Sequence, residues 1–168
     1  PQTLLNSCIF FDLDAVHGEA ELVFQLQQQV AEQASQAPAF LASMARNALN
    51  RTPPLGFFRT FVMEKDGKQN NIINLKGRGT APLTDLIRVH ALACGSTAQN
   101  SNERLDAIGQ TKLLTSEAIE GLRVALEFLS SVRIRHQAWQ LEQEAEPDNY
   151  IEPEALTPTQ RHSLKEAF

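Results

Sequence analysis

Apolar residues recur at three- and four-residue spacing along most of this chain, the mark of helices with one buried face. From Glu19 onward, Leu22, Val23, Leu26 and Val30 form such a stripe, with glutamines between them. Pro38 suits the first turn of a second helix, where a missing N–H removes no bond. Phe40, Leu41, Met44, Ala45 and Ala48 make its apolar side, and Thr52-Pro53-Pro54 ends it. Pro82 opens a helix over about 83–94, closed by Gly95. Ser101-Asn102-Glu103-Arg104 starts a shorter helix that ends near Gly109. Thr115 or Ser116 caps the longest helix, which runs to about Glu144, and Thr157-Pro158-Thr159-Gln160 is a capping box for the last.

Two stretches read as β structure instead. Cys8-Ile9-Phe10-Phe11 is a short strand-like core followed by Asp12 and Asp14, and strand alternation would put both carboxylates on one face. Segments 57–63 and 72–75 flank Lys65-Asp66-Gly67-Lys68, whose Asp-Gly pair signals a hairpin. The predicted fold class is all-α: a helical bundle of five to six helices, one small β-hairpin, and a residual N-terminal strand.

Composition narrows the function classes. The 168 residues carry a formal charge of −5, which argues against a chain that coats nucleic acid or an anionic membrane. The apolar runs are only a few residues long, against the roughly 20 needed to span a bilayer. Cys8 and Cys94 each stand in an apolar stretch and read as buried thiols in a reducing cytoplasm. The chain opens on Pro1 without a Met and closes on Phe168 within a helical pattern, so it reads as a piece of a longer polypeptide.

Three groups of residues could carry chemistry. On the long helix, Leu122, Leu126, Leu129, Arg133, His136, Gln137 and Gln140 share one side, aliphatic first and polar afterwards. Such a stripe either emerges into water or lines a polar pocket for an anion, with Trp139 as an aromatic wall or as plain core. Lys76-Gly77-Arg78-Gly79-Thr80 leads into the helix bearing Asp85 and Arg88. It is a basic loop or an anion site at a helix N-terminus, and it is not a Walker motif. Asp12 and Asp14 could hold Mg²⁺ or lie solvated. The four histidines show no metal-ligand spacing, and no Ser-His-Asp or Cys-His arrangement stands out.

The same residues, taken as an ordered set, resemble one bacterial family. Ile9-Phe10-Phe11-Asp12, Gly56-Phe57-Phe58-Arg59, Asn74 to Gly79, Pro82 to Leu86, Arg133-Ile134-Arg135-His136-Gln137 and Pro147 to Ile151 resemble the putative nucleotidyltransferase substrate-binding domain. That domain stands behind CBS and cyclic-nucleotide-binding domains in signal-transduction proteins. More loosely, the chain is similar to segments of protein-PII uridylyltransferase and glutamine-synthetase adenylyltransferase. The resemblance implies a cytoplasmic protein with an upstream catalytic domain that handles Mg²⁺ and a nucleoside triphosphate. Residues 1–18 would be the tail of that domain, and 19–168 the helical substrate-binding domain. Asp12 would be a metal ligand in the full-length protein, although Asp14-Ala15 stands where the family usually shows Arg-Pro. Lys76, Arg78 and Arg88 are expected near a nucleotide or acceptor phosphate, with Asp85 orienting an arginine. Arg133, Arg135, His136 and Gln137 are expected in the pocket, with Asn149 fixing the loop against their helix. Arg133, His136 and Asn149 should then be buried and mutually hydrogen-bonded. The expected partners are the upstream domains, an acceptor protein and a second copy of the chain, but neither nucleic acid nor membrane. No catalytic residue is expected within the chain itself. The alternative is a non-enzymatic helical module for interaction or dimerisation.

Overall fold

A computed structural model describes residues 10–65 and 71–168. In chain order these form α1 (Ala20–Ser35), α2 (Pro38–Leu49), β1 (Glu64–Lys65), β2 (Asn71–Asn74), α3 (Ala81–Ala93), α4 (Ser101–Gly109), α5 (Ser116–Glu142), β3 (Tyr150–Ile151) and α6 (Pro158–Ala167). The mostly-α architecture with a small hairpin is the one the periodicity predicts. Among the described residues, no helix is long and apolar enough to cross a membrane.

Helix ends fall where the local chemistry places them. Asn100 Oδ1 accepts from Asn102 N at 2.8 Å and caps α4. Thr157 and Gln160 exchange side-chain and backbone hydrogen bonds at the start of α6, which satisfies two otherwise orphaned donors. Gly95 ends α3 with φ at 71°, a left-handed conformation that most side chains resist.

The chain divides into two compact units, each built from two separate stretches. Residues 1–48 and 85–119 form the first. Its apolar cluster is Ala34, Met44, Val89 and Leu92, with Phe11, Phe40, Leu41 and Ala45 packed against it. Residues 49–84 and 120–168 form the second. There Ile73, Leu75, Leu129, Val132, Ile151 and Leu164 make the core. β2 is the middle strand, antiparallel to both neighbours, with Ile72 opposite Glu64 and Ile73 opposite Ile151.

Several expectations need correction. At the described end of the N-terminal segment Phe10 is helical and Phe11-Asp12 a turn, so Asp12 and Asp14 do not alternate along a strand there. Cys8 and Ile9 lie outside the described residues, as does the turn at Asp66-Gly67-Lys68. The first hairpin strand is Glu64–Lys65, beyond the expected 57–63, where Phe57–Arg59 is instead a 3₁₀ turn with Phe58 at a φ of 61°. Phe57 and Phe58 are largely exposed, so burial does not draw them into a strand. β3 was not expected: two residues are too few to show a period. Cys94 is half-buried, and desolvation holds its thiol above the ordinary range, in the protonated form.

Candidate functional site

The second unit contains an open cleft of about 870 Å³. The last turns of α5 supply Arg135, His136, Trp139 and Gln140 to its wall, and Asp148 and Tyr150 face them from the following segment. That segment is tied to the helix by Asp148. Its backbone N–H donates to Gln140 Oε1 at 2.9 Å, and its carbonyl accepts from Gln137 Nε2 at 3.0 Å. Its Oδ1 accepts from Tyr150 N at 2.9 Å and lies 3.0 Å from His136 Nε2. Nε2 is therefore the ring nitrogen that donates to the carboxylate. Next to it, Trp139 stacks on His136 with ring centroids 6.4 Å apart and planes inclined by 26°.

This network alters the acidity of Asp148. Burial opposes its charge, but the Tyr150 N–H, His136 and Gln140 together hold the carboxyl below its ordinary value of 3.8. A depressed carboxyl stabilises the fold above its unfolded pKa, and that contribution disappears as pH falls through the folded pKa. Urea unfolding of wild type and Asp148→Asn should therefore differ most at pH 6, and the gap should close below about pH 4. A gap unchanged down to pH 2.5 would show that the loss comes from geometry and not from charge.

The other residues expected in this pocket are distributed more widely. Arg135 is exposed and lines the cleft. Arg133 is half-buried, and its Nε is buried without a hydrogen-bond partner among the described residues. His136 bonds to Asp148 instead of to Arg133 or Asn149, which corrects the mutual network expected of the three. Asn149 lies at the edge of hydrogen-bond distance, its Oδ1 3.4 Å from Gln137 Nε2, while its carbonyl accepts from Leu75 N at 2.9 Å. Fixing the loop is thus chiefly the work of Asp148, because its one carboxylate and its backbone reach three helix positions.

Lys76 and Arg78 stand on a π-helical turn, Lys76–Thr80. Its glycines make room for protein. A Cβ on Gly77 would meet the Asn74 carboxamide at 3.0 Å, and one on Gly79 would meet Phe168 at the same distance. Lys76 is exposed. Arg78 donates to Thr52 O at 3.2 Å and to Glu64 Oε1 at 3.3 Å, and Glu64 in turn lines the cleft.

Asp85 and Arg88 belong to the first unit, with Asp12. Arg88 Nη1 donates to Asp85 at 2.6 Å and its Nη2 to Asp12 Oδ2 at 2.7 Å. The second Asp12 oxygen accepts from Arg104 Nη2 at 2.6 Å. Arg104 is almost fully buried and also donates to Phe11 O and Ala98 O, at 2.9 and 2.8 Å. Burial lowers its guanidinium from the ordinary value, and Asp12 counters this by pairing with it. Sequence reasoning missed Arg104, though its spacing from Leu105 and Ile108 places it on the buried face of α4.

The metal expectation for Asp12 does not fit these surroundings. Both oxygens face guanidinium groups, whose positive charge repels a divalent cation. Among the described residues no group of three His, Cys, Asp or Glu could hold a metal ion.

A family model described as "Putative nucleotidyltransferase substrate binding domain" matches residues 38–168. Comparison with curated proteins gives no match, and neither does comparison with solved structures.

Proposed function

The chain belongs to that family, and from this premise we propose that it is the acceptor-binding part of a uridylyl- or adenylyltransferase-type protein. The observation that carries the proposal is the cleft of about 870 Å³ walled by Trp139, His136 and Tyr150. Its lining carries the carboxylates of Glu64, Asp148 and Glu152 against a single arginine, Arg135. That balance disfavours the polyanionic tail of a nucleoside triphosphate and suits an uncharged or cationic acceptor group laid against aromatic rings. Nucleotide and Mg²⁺ would then be handled by a catalytic domain upstream. The resemblance to domains that follow CBS and cyclic-nucleotide-binding modules supports a setting in bacterial cytoplasmic signalling.

In this reading His136 and Asp148 position; they do not catalyse. Asp148 fixes the imidazole orientation, while Trp139 and Tyr150 supply apolar area. The test uses the protein that carries this chain behind its catalytic domain. Trp139→Ala should raise the acceptor KM about tenfold, a loss of roughly 1.4 kcal/mol, and leave the nucleotide KM within about twofold. The chain alone, with Mg²⁺ and any nucleoside triphosphate, should neither hydrolyse it nor label protein. An unchanged acceptor KM, or Asp12-dependent turnover by the chain alone, would overturn the reading.

A further inference from the structure

The geometry points to a second binding site, in the first unit: Arg88 and Arg104 form an oxyanion site for a phosphoryl group, and the Asp12 carboxylate occupies it as a built-in stand-in. Asp12 bridges the two guanidiniums with one oxygen each, at 2.7 and 2.6 Å. Two oxygens on one centre gripping two arginine forks is also the way a phosphoryl group binds.

Four observations separate this arrangement from an ordinary ion pair. First, the cationic half is built into the unit and the anionic half is not. The Arg88 and Arg104 side chains are 9 % and 3 % exposed, whereas that of Asp12 is 43 % exposed. Second, each guanidinium has a support of its own: Asp85 holds Arg88, while the Ala98 and Phe11 carbonyls hold Arg104. The pair therefore keeps its geometry when the carboxylate leaves. Third, Arg88 Nε is buried and makes no hydrogen bond among the described residues, so Asp12 leaves one donor unsatisfied there. A phosphoryl group brings oxygens that a carboxylate lacks. Fourth, release of the carboxylate does not require the segment to unfold. Leu13 O accepts from both Gln27 Nε2 and Gln99 Nε2, and the Phe11 ring packs on Phe40 with centroids 5.9 Å apart. Rotation of one exposed side chain vacates the site.

This inference concerns the first unit and does not depend on the acceptor reading of the cleft. Thermal melts of wild type and Asp12→Ala, with pyrophosphate or ATP against sodium chloride at equal ionic strength, test it. Asp12→Ala should melt below wild type in chloride and recover saturably in pyrophosphate. Wild type should need about tenfold more pyrophosphate for the same response, because the carboxylate competes. Equal responses to pyrophosphate and ATP would assign the phosphoryl chain alone as ligand, and a stronger response to ATP would add the nucleoside; both support the site. Should Asp12→Ala not fold, equilibrium dialysis of wild type with radiolabelled pyrophosphate decides, with Arg88→Met as control after its helical content is checked by circular dichroism. No saturable recovery beyond that given by chloride, or wild-type retention equal to that of Arg88→Met, would overturn the proposal.

Discussion

Leu129→Ala is expected to lower the unfolding free energy by about 2–5 kcal/mol, measured by urea denaturation. Leu129 is 1 % exposed and belongs to the cluster of Ile73, Leu75, Val132, Ile151 and Leu164. Its two Cδ atoms lie 3.5 Å from the point that a Cβ on Gly79 would occupy, so the π-helical turn closes directly over it. Truncation removes transfer free energy and leaves a cavity between a helix, two strands and that turn, none of which can shift independently to fill it. Ile134, on the same helix, is largely exposed, and Ile134→Ala should change stability by less than about 0.5 kcal/mol. Equal losses for the two variants would contradict the placement of the second unit's core.

Arg104→Met is expected to cost about 3 kcal/mol, because three acceptors lose a charged donor at once while the replacement keeps much of the aliphatic bulk. Ala98 O and Phe11 O lose partners inside the unit, and Asp12 loses one of its two arginines but keeps Arg88. Arg78→Met provides the contrast. Its pair with Glu64 spans 3.3 Å, and the Glu64 side chain is 48 % exposed, which places the loss within about 1 kcal/mol. Added salt should shrink the Arg78 effect and leave most of the Arg104 effect, since buried hydrogen bonds are little screened. If 1 M sodium chloride removed the Arg104 effect as well, its contribution would be surface electrostatics and the clasp on the N-terminal segment would be discounted.

The helices were legible because each announces itself locally. Gly95 and the Thr157–Gln160 box act within one turn, and the stripes of α2 and α5 need no knowledge of the partner they bury against. On α1 the helix is where the stripe predicts it, but Leu22 and Leu26 stay exposed and Ala31 and Ala34 are the buried residues. The sheet was not legible to the same degree. β3 is two residues long and pairs with a strand far away in sequence, so neither period nor turn chemistry marks it. The site divides along the same line. His136, Gln137 and Gln140 could be placed on one face from helical spacing alone. Their common partner, Asp148, lies in an irregular segment where spacing carries no direction, and the resemblance points to its neighbour Asn149 instead. Arg88 was visible as a cation on the helix that follows the Lys76–Thr80 loop. That it shares a carboxylate with Arg104 depends on how α3, α4 and the N-terminal segment pack, which is a tertiary fact.

Building each unit from two separated stretches has a consequence for the order in which the protein is made. A chain emerging N-terminus first releases Ile73 and Leu75 well before the strand that pairs with Ile73 and the helix residue Leu164 that packs there. The first unit meets the same delay on a shorter scale, because 49–84 is synthesised before 85–119 can complete its core. Non-local closure of this kind is slow, and an unpaired apolar strand edge invites association with other chains in the interval. A nascent chain stopped just short of Tyr150 would present the β2 edge open on the side that β3 normally covers, so the interval between the synthesis of β2 and that of β3 is when this protein is most in need of a chaperone.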